Sequence, residues 1–316
     1  METIGTWWMW LGFAIFVVGA VAVDLLVMEK QGAHKVSMNE ALRWSALWFS
    51  LAFVFVAILW FYLDQSQGRE TANTVSMQFI TGYLVEKSLS IDNIFVFLMI
   101  FTYFGIPIQY QKRALIIGII GAIVLRAILI LMGAWLLASF HWLLYVFGVF
   151  LIFTGIKMVV AAGKDPEMEK NPVLLFLRKR MKITSEFNGE KLSTMINGVK
   201  HYTPLFVVLI LIGTTDIIFA VDSIPAIFAI APNDPFNLYT SNIFAILGLR
   251  SLYFLLANFM YMFSKLKYGL ALILAFIGVK MIVAPFYHIE TSYSLMVVGS
   301  VLILSVIASL LFPDKD

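Results

Sequence analysis

Four carboxylates stand in stretches of the chain that are otherwise apolar, and they form two pairs with the same spacing. Glu86 precedes Asp92, and Asp216 precedes Asp222. A carboxylate inside a bilayer is costly unless it faces a cavity or a partner. We therefore expect the four acids to line an intramembrane site, although buried structural ion pairs would also account for them.

Further oxygen donors follow the second acid of each pair. The predicted ligands are carboxylates, a carboxamide and a hydroxyl, and these suit a hard cation such as Mn²⁺, Mg²⁺ or Ca²⁺. Residue types alone do not distinguish these three ions. The chain has no cysteine, which excludes thiolate metal sites, disulfides and thiol redox chemistry. The predicted metal-ligating residues are Glu86, Asp92, Asn93, Asp216, Asp222 and Ser223.

Other polar residues inside apolar stretches have several interpretations. Arg126 and Arg250 keep their charge in any environment. They either neutralise the acids when no metal is bound and change partners during transport, or form permanent structural ion pairs. Lys87 is expected to be no more than a local partner of the acid before it. Ser241 and Asn242 are expected to cap a helix rather than bind the metal.

Helical geometry restricts how these side chains can meet. The first acid of each pair shares a face with the residue seven positions on, Glu86 with Asn93 and Asp216 with Ser223. The second acid lies about 100° further round the helix. Straight helices would therefore not aim all the acids at one point. We predict local unwinding beside the second acids, assisted by Pro225, which lacks a backbone donor.

The elements that carry these residues are predicted to be membrane-spanning helices. Hydrophobic residues make up 61% of the chain, charged residues 13%, and the mean hydropathy is +0.91. The sequence predicts an all-α polytopic membrane protein with about nine spans, each close to the length that crosses about 30 Å of hydrocarbon. The predicted spans are residues 7–28, 44–63, 79–101, 113–137, 141–161, 203–231, 240–260, 267–284 and 293–312.

Lysine and arginine concentrate in every second loop, which predicts the orientation of the chain. The pattern places the N-terminus outside and the C-terminus in the cytoplasm. The basic stretch 162–202 then becomes a cytoplasmic loop. A helix around 172–182 is predicted within it, either lying on the membrane surface or acting as a tethered linker.

Two parts of the chain resemble each other. Phe153–Ala161 is similar to Phe276–Ala284, and the arginines and acid pairs precede these segments in the same order. Each unit has three spans and the loop between them starts and ends on one side, so the units are inverted, an arrangement found in transporters. The predicted organisation is residues 1–78 as a two-helix segment, 79–161 as the first repeat, 162–202 as the loop, 203–284 as the inverted repeat and 285–316 as a final helix.

The two acid-pair motifs resemble the TerC family, and most closely its Alx branch. The segments are Glu86-Lys-Ser-Leu-Ser-Ile-Asp92-Asn-Ile-Phe and Phe-Ala-Val-Asp222-Ser-Ile-Pro-Ala, and the likeness extends over nearly the whole chain. The resemblance implies a manganese exporter whose motif residues are the six predicted ligands. Family members often carry glutamate where this chain has Gly213, so any role of that carboxylate is missing.

These observations predict a transporter that moves Mn²⁺ out of the cytoplasm, with inward protons as the coupling ion that the sequence permits. The alternative is a membrane scaffold without transport, aiding metal loading of exported proteins or tolerance of envelope or tellurite stress. No enzyme activity, prosthetic group or nucleic-acid partner is expected. Intramembrane aspartyl proteases also use paired acids, but the residues around Asp92 and Asp222 do not fit their motifs.

Overall fold

A computed structural model describes residues 3–31, 36–140, 142–161, 168–184, 189, 191–231, 234–257, 265–287 and 289–311. Long helices dominate these residues, together with one short helix and one β-hairpin. The helices are α1 (Trp7–Gln31), α2 (Met38–Ser66), α3 (Arg69–Tyr103), α4 (Ile108–Ser139), α5 (Leu143–Ala161), α6 (Pro172–Arg180), α7 (Pro204–Phe228), α8 (Pro235–Leu247), α9 (Leu249–Leu256), α10 (Leu266–Val283) and α11 (Thr291–Leu311).

The helix ends follow from local sequence chemistry. The Ser37 hydroxyl accepts a hydrogen bond from the backbone N–H of Glu40 at 3.2 Å, which caps α2. Proline occupies the first turn of α7 and α8, where its missing N–H costs nothing. Gly68 and Gly105 flank α3 with φ of 94° and 58°. These signals delimit the helices that carry the acids.

Large apolar side chains cover the outside of the bundle, while several charged side chains lie within it. This distribution is the reverse of that in a soluble protein and fits hydrocarbon as the surrounding solvent. The outward apolar residues include Ile15, Val18, Ile58, Phe153, Val160, Ile303 and Leu304, each more than 60% exposed. The molecule is an all-α polytopic membrane protein.

Seven helices of the described residues are long and apolar enough to cross a membrane, or eight if α8 and α9 are one bent span. The predicted count of nine is therefore not confirmed. The third predicted span lies in α3, which is long enough but carries Glu86, Lys87 and Asp92 near its middle. Those charges set α3 apart from the apolar helices around it.

Helix α3 lies at the centre of the bundle and contacts α2, α7, α8 and α11, and α4 packs on α7 and α8. Beside this group, α5 and α10 form a close pair. A Cβ added at Gly148 would lie 2.8 Å from the Gly278 carbonyl oxygen, and one at Gly155 would lie 2.7 Å from that of Ala271. The two helices therefore run antiparallel with their backbones touching. An inverted repeat would give this arrangement, but the repeat itself stays a prediction.

The predicted unwinding beside the second acids is wrong. Helix α3 continues through Asp92, and α7 continues through Asp222 to Phe228. Pro225 stands in the last turn of α7, where its missing N–H leaves few helical bonds to disturb. The break instead lies at Gly248, where α8 and α9 meet at 42°.

The loop between α5 and α7 contains the predicted helix, since α6 spans Pro172–Arg180. Leu174 and Leu177 of this helix are buried in the core of the bundle. A hairpin of β1 (Ser193–Ile196) and β2 (Val199–Tyr202) follows and was not predicted. Its turn is Asn197-Gly198, both with positive φ, which is a strong hairpin signal readable from sequence.

Candidate functional site

Four side chains from four helices meet in the interior of the bundle, and one of them is the guanidinium of Arg126. Nη1 of Arg126 on α4 lies 2.6 Å from Oε1 of Glu86 on α3. The same nitrogen donates to Oγ of Ser223 on α7 at 3.2 Å and to Oδ1 of Asn242 on α8 at 3.1 Å. Nδ2 of Asn242 then donates to Oε2 of Glu86 at 3.1 Å. Both oxygens of the Glu86 carboxylate therefore face a donor from another helix.

Asp216 adds a second carboxylate to this cluster. It stands on α7, and its carboxyl group lies within electrostatic range of Arg126 and Glu86. Its Oδ2 atom is buried and has no hydrogen-bond partner. Because such an atom normally finds a partner, an unpaired acceptor beside a cationic side chain is a feature of functional sites. The cluster thus holds two acids and one guanidinium, and Lys87 is buried beside it on α3.

The cluster is closed to solvent from every side. A bound ion would have little room to enter without a movement of the helices. None of its members exceeds 6% exposure: Glu86 0%, Arg126 1%, Asp216 6%, Ser223 3% and Asn242 0%.

Three hydroxyl groups of α3 near the cluster are satisfied within the helix. Thr81, Ser88 and Ser90 each donate to the backbone carbonyl four residues earlier, at 2.7, 2.6 and 2.8 Å. They therefore make no demand on the cluster. Glu86 and Asn93 are both buried on α3, as expected of residues seven positions apart on one face.

Asp222, the second acid of the second pair, does not join the cluster. Asp222 is half-buried on another face of α7, within electrostatic range of Lys157 on α5. This is the consequence of a straight helix, since Asp222 is about 100° round from Ser223. The backbone of Asp92 lies in α3, and its side chain lies outside the described residues.

Arg250 has a different partner from the one that its position suggested. Its Nε donates to Oδ2 of Asp24 on α1 at 3.0 Å, and its Nη2 donates to the other oxygen of that carboxylate. The guanidinium also lies over the ring of Trp44 on α2, 5.7 Å from the ring centroid. The structure thus gives Arg126 a site acid as partner, and gives Arg250 an acid outside the predicted ligand set.

Asn242 is the functional residue that sequence reasoning undervalued. It is not a helix cap, because α8 begins at Pro235 with Asp234 as the N-cap. It stands inside α8 and bridges Glu86 to Arg126. Burying a carboxamide in an apolar helix is costly unless it forms hydrogen bonds. An asparagine inside such a stretch was therefore the signal available in the sequence. Gly213, by contrast, is exposed, and an added Cβ would meet nothing within 4 Å.

The donor set available here is two carboxylates, a carboxamide and a hydroxyl. No group of three or more acidic or histidine side chains that could hold a metal occurs in the described residues. A hard dication would therefore need Asn242 and Ser223 as further ligands beside Glu86 and Asp216. Arg126 contacts or faces each of these groups, so the guanidinium and a dication would compete for the same oxygens.

Comparison with known proteins places the chain in a family. The model of the integral membrane protein TerC family matches residues 71–316. A relative in Salmonella typhi is 49% identical over 307 residues, which cover 97% of this chain and 95% of the relative. One in Escherichia coli (strain K12) is 48% identical with the same coverage. Both are named as a proposed membrane-bound redox modulator, Alx.

More distant organisms also carry relatives. An uncharacterized membrane protein in Myxococcus xanthus is 47% identical over 314 residues, which cover 98% of this chain and 95% of the relative. No solved structure matches the chain. The family match covers α3 to α11 and so includes Glu86, Arg126, Asp216 and Asn242. The chain belongs to the TerC family of integral membrane proteins.

Proposed function

We propose that this protein exports Mn²⁺ from the cytoplasm across the bacterial inner membrane. The proposal rests on one observation above all, that Glu86 and Asp216 are buried among four helices with a single guanidinium between them. Charged side chains at such depth are costly and commonly mark an ion pathway. The partnerless Oδ2 atom of Asp216 adds an acceptor that a cation could use.

The exchange of cations at Glu86 supplies the transport step. In the closed arrangement Arg126 neutralises this carboxylate. An entering dication takes over that role and, because it also needs the oxygens of Ser223 and Asn242, displaces the guanidinium from these partners on α7 and α8. Because these partners lie on different helices, replacing one cation by the other changes how α3, α4, α7 and α8 are held together.

Two arguments favour manganese as the transported ion. Oxygen donors favour Mn²⁺, Mg²⁺ or Ca²⁺ over softer metals, and the resemblance to the TerC family implies manganese export. Protons are proposed as the coupling ion, because a carboxylate released by the metal can carry a proton back. Asp216 is the residue proposed for this return, since its Oδ2 has no other partner.

The name of the curated relatives favours a second candidate, in which the protein modulates redox state or serves as a membrane scaffold. Thiol chemistry in this chain is excluded, because it has no cysteine. Such a role would therefore be indirect, for example through metal loading of exported proteins, and a scaffold would not move ions.

Ion flux into liposomes containing the purified protein tests the proposal. A Mn²⁺-quenched dye inside the vesicles reports entry of the ion. The unmodified protein should carry Mn²⁺, and Glu86→Gln or Asp216→Asn should slow entry by at least about tenfold, the factor that even outer-shell partners of a metal cost. Parallel gradients of Ca²⁺, Mg²⁺ and H⁺ rank the ions and test proton coupling.

Asp64→Asn is the matched control, because Asp64 is an acid outside the cluster whose ion-pair partner, Arg69, is exposed. Exposed ion pairs contribute little, so this variant should transport at the unmodified rate. Absence of Mn²⁺ entry with the unmodified protein would contradict transport and favour the scaffold. Entry that survives both site substitutions would show that the ion passes elsewhere.

A further inference from the structure

A buried lysine beside the site does not pair with the neighbouring acid. Lys87 on α3 is 5% exposed, yet its Nζ donates to the backbone carbonyl of Ala245 on α8 at 3.0 Å. The ammonium also lies over the rings of Phe49 and Tyr83, 5.3 and 5.9 Å from their centroids. The side chain therefore stabilises a specific point of α8 and leaves Glu86 to Arg126 and Asn242.

That point is the end of a helix inside the bundle. Ala245 stands in the last turn of α8, just before the break at Gly248. Carbonyl groups in the last turn lack intrahelical donors and carry partial negative charge. In a membrane they find no water, so a cationic side chain is an effective partner for them. Lys87 thus caps α8 where the bent span changes direction.

The residue at the break leaves room for this lysine. A Cβ added at Gly248 would lie 2.7 Å from Nζ of Lys87 and 3.1 Å from Cβ of Trp48. A real Cβ does not approach other atoms so closely, so any larger residue would push the ammonium away from α8. Gly248 and Lys87 are therefore a matched pair at the break.

The cap is directly connected to the candidate cation site. Asn242 lies three residues before Ala245 on α8 and donates to Glu86, the residue before Lys87 on α3. Two adjacent residues of α3 thus hold two successive points of α8. We propose that Lys87 is a positioning residue for the cation site, holding the end of α8 so that Asn242 stays against Glu86. The effect on cation binding rests on the proposed function.

The direction of the change in Mn²⁺ affinity separates this role from two others. If Lys87 positions Asn242, removing the ammonium weakens Mn²⁺ binding. If it acts only through its positive charge near the site, removing it strengthens binding. If it only stabilises the fold, the affinity per folded molecule stays the same while the melting temperature falls.

The experiment measures Mn²⁺ binding by calorimetry and amide hydrogen exchange across α8 and α9 in purified protein. Lys87→Met should weaken binding about tenfold, as loss of an outer-shell partner does, and should speed exchange near the break. Lys87→Arg should recover most of both, because it restores a cationic donor. Lys200→Met, at an exposed position on β2, is the control and should change neither quantity.

Gly248→Ala provides an independent variant if Lys87→Met does not fold. Its methyl group should displace the ammonium and also weaken Mn²⁺ binding. Added to Lys87→Met, the same substitution should weaken binding by less than it does alone. Unchanged or tighter Mn²⁺ binding by folded Lys87→Met would overturn the proposal. If the unmodified protein binds no Mn²⁺, the proposed function fails, while hydrogen exchange decides the positioning role: faster exchange near the break supports it and unchanged exchange overturns it.

Discussion

At the scale of single residues, the buried ion pair of Arg126 with Glu86 is the main feature of the molecule. Both side chains are at most 1% exposed, and their nitrogen and oxygen atoms lie 2.6 Å apart. Removing charges from water is costly, and a buried pair is stable only when further hydrogen bonds satisfy it. Asn242 and Ser223 supply those bonds. The site is therefore a small network whose members depend on one another.

Breaking one side of this pair should destabilise the protein more than removing both sides. Arg126→Gln leaves the Glu86 carboxylate buried without a cation, and we expect a loss of about 3–5 kcal/mol in the free energy of unfolding. Arg126→Gln combined with Glu86→Gln should cost less than the sum of the two single changes. Unfolding of the purified proteins in mixed detergent measures these values, and strictly additive losses would contradict the coupling.

At the scale of the elements, α8 is the helix that tertiary contacts define most closely. The Asp234 carboxylate caps its start by accepting from the N–H groups of Phe236 and Asn237 at 3.2 and 3.4 Å. Asn242 occupies its middle and Lys87 its end. A helix fixed at three points positions its side chains well.

The cap at the start of α8 predicts a dependence on pH. Burial raises the pKa of the Asp234 carboxyl above its ordinary 3.8, while hydrogen bonds from Thr3 and from backbone N–H groups oppose this. The folded protein then binds the proton more tightly than the unfolded chain. The resulting stabilisation is fully present below pH 3.8 and is lost as the pH rises through the folded pKa.

Asparagine at this position keeps the cap and removes the charge. Asp234→Asn should therefore gain stability relative to the unmodified protein as the pH rises through the raised pKa of the carboxyl group. Melting temperatures of both proteins across the acid to neutral range measure this difference. A difference that does not change with pH would mean that the carboxyl group has the same pKa in the folded and unfolded states.

At the scale of the whole molecule, the two mid-span arginines differ in their partners. Arg126 joins the site acids, whereas Arg250 pairs with Asp24, which α1 contributes. The family match begins at residue 71, so this acid lies outside the matched region. The N-terminal pair of helices thus supplies the charge that neutralises Arg250. The two halves of the molecule are not equivalent, whatever their sequence resemblance.

Loop charge predicts which side of the membrane each loop occupies, and the absence of native cysteine makes this testable. Single cysteines at Gln65, in the last turn of α2, and at Met195, in the hairpin, would both be exposed. A membrane-impermeant maleimide should label Gln65→Cys in intact cells and Met195→Cys only after permeabilisation. The opposite result would invert the proposed orientation, and with it the direction of export.

By itself, the sequence determined that the protein lies in a membrane, where most of its helices lie along the chain, and which residue types form the candidate site. Long apolar stretches require helices in a bilayer, since backbone groups there must bond within the segment. A carboxylate in such a stretch has a high free-energy cost, and this cost makes Glu86 and Asp216 recognisable as candidates from the sequence. The helix α6 followed from local signals in the same way, and the hairpin turn at Asn197 carried a signal that was equally local.

Only the tertiary structure decided which of these residues meet. Whether Asp222 joins Glu86 depends on whether α7 unwinds, and α7 stays helical through Asp222, which leaves this acid on a different face from Ser223. The partners of Asn242 and Lys87 come from helices far away in sequence. Such contacts are set by the packing of whole helices, which local periodicity does not encode.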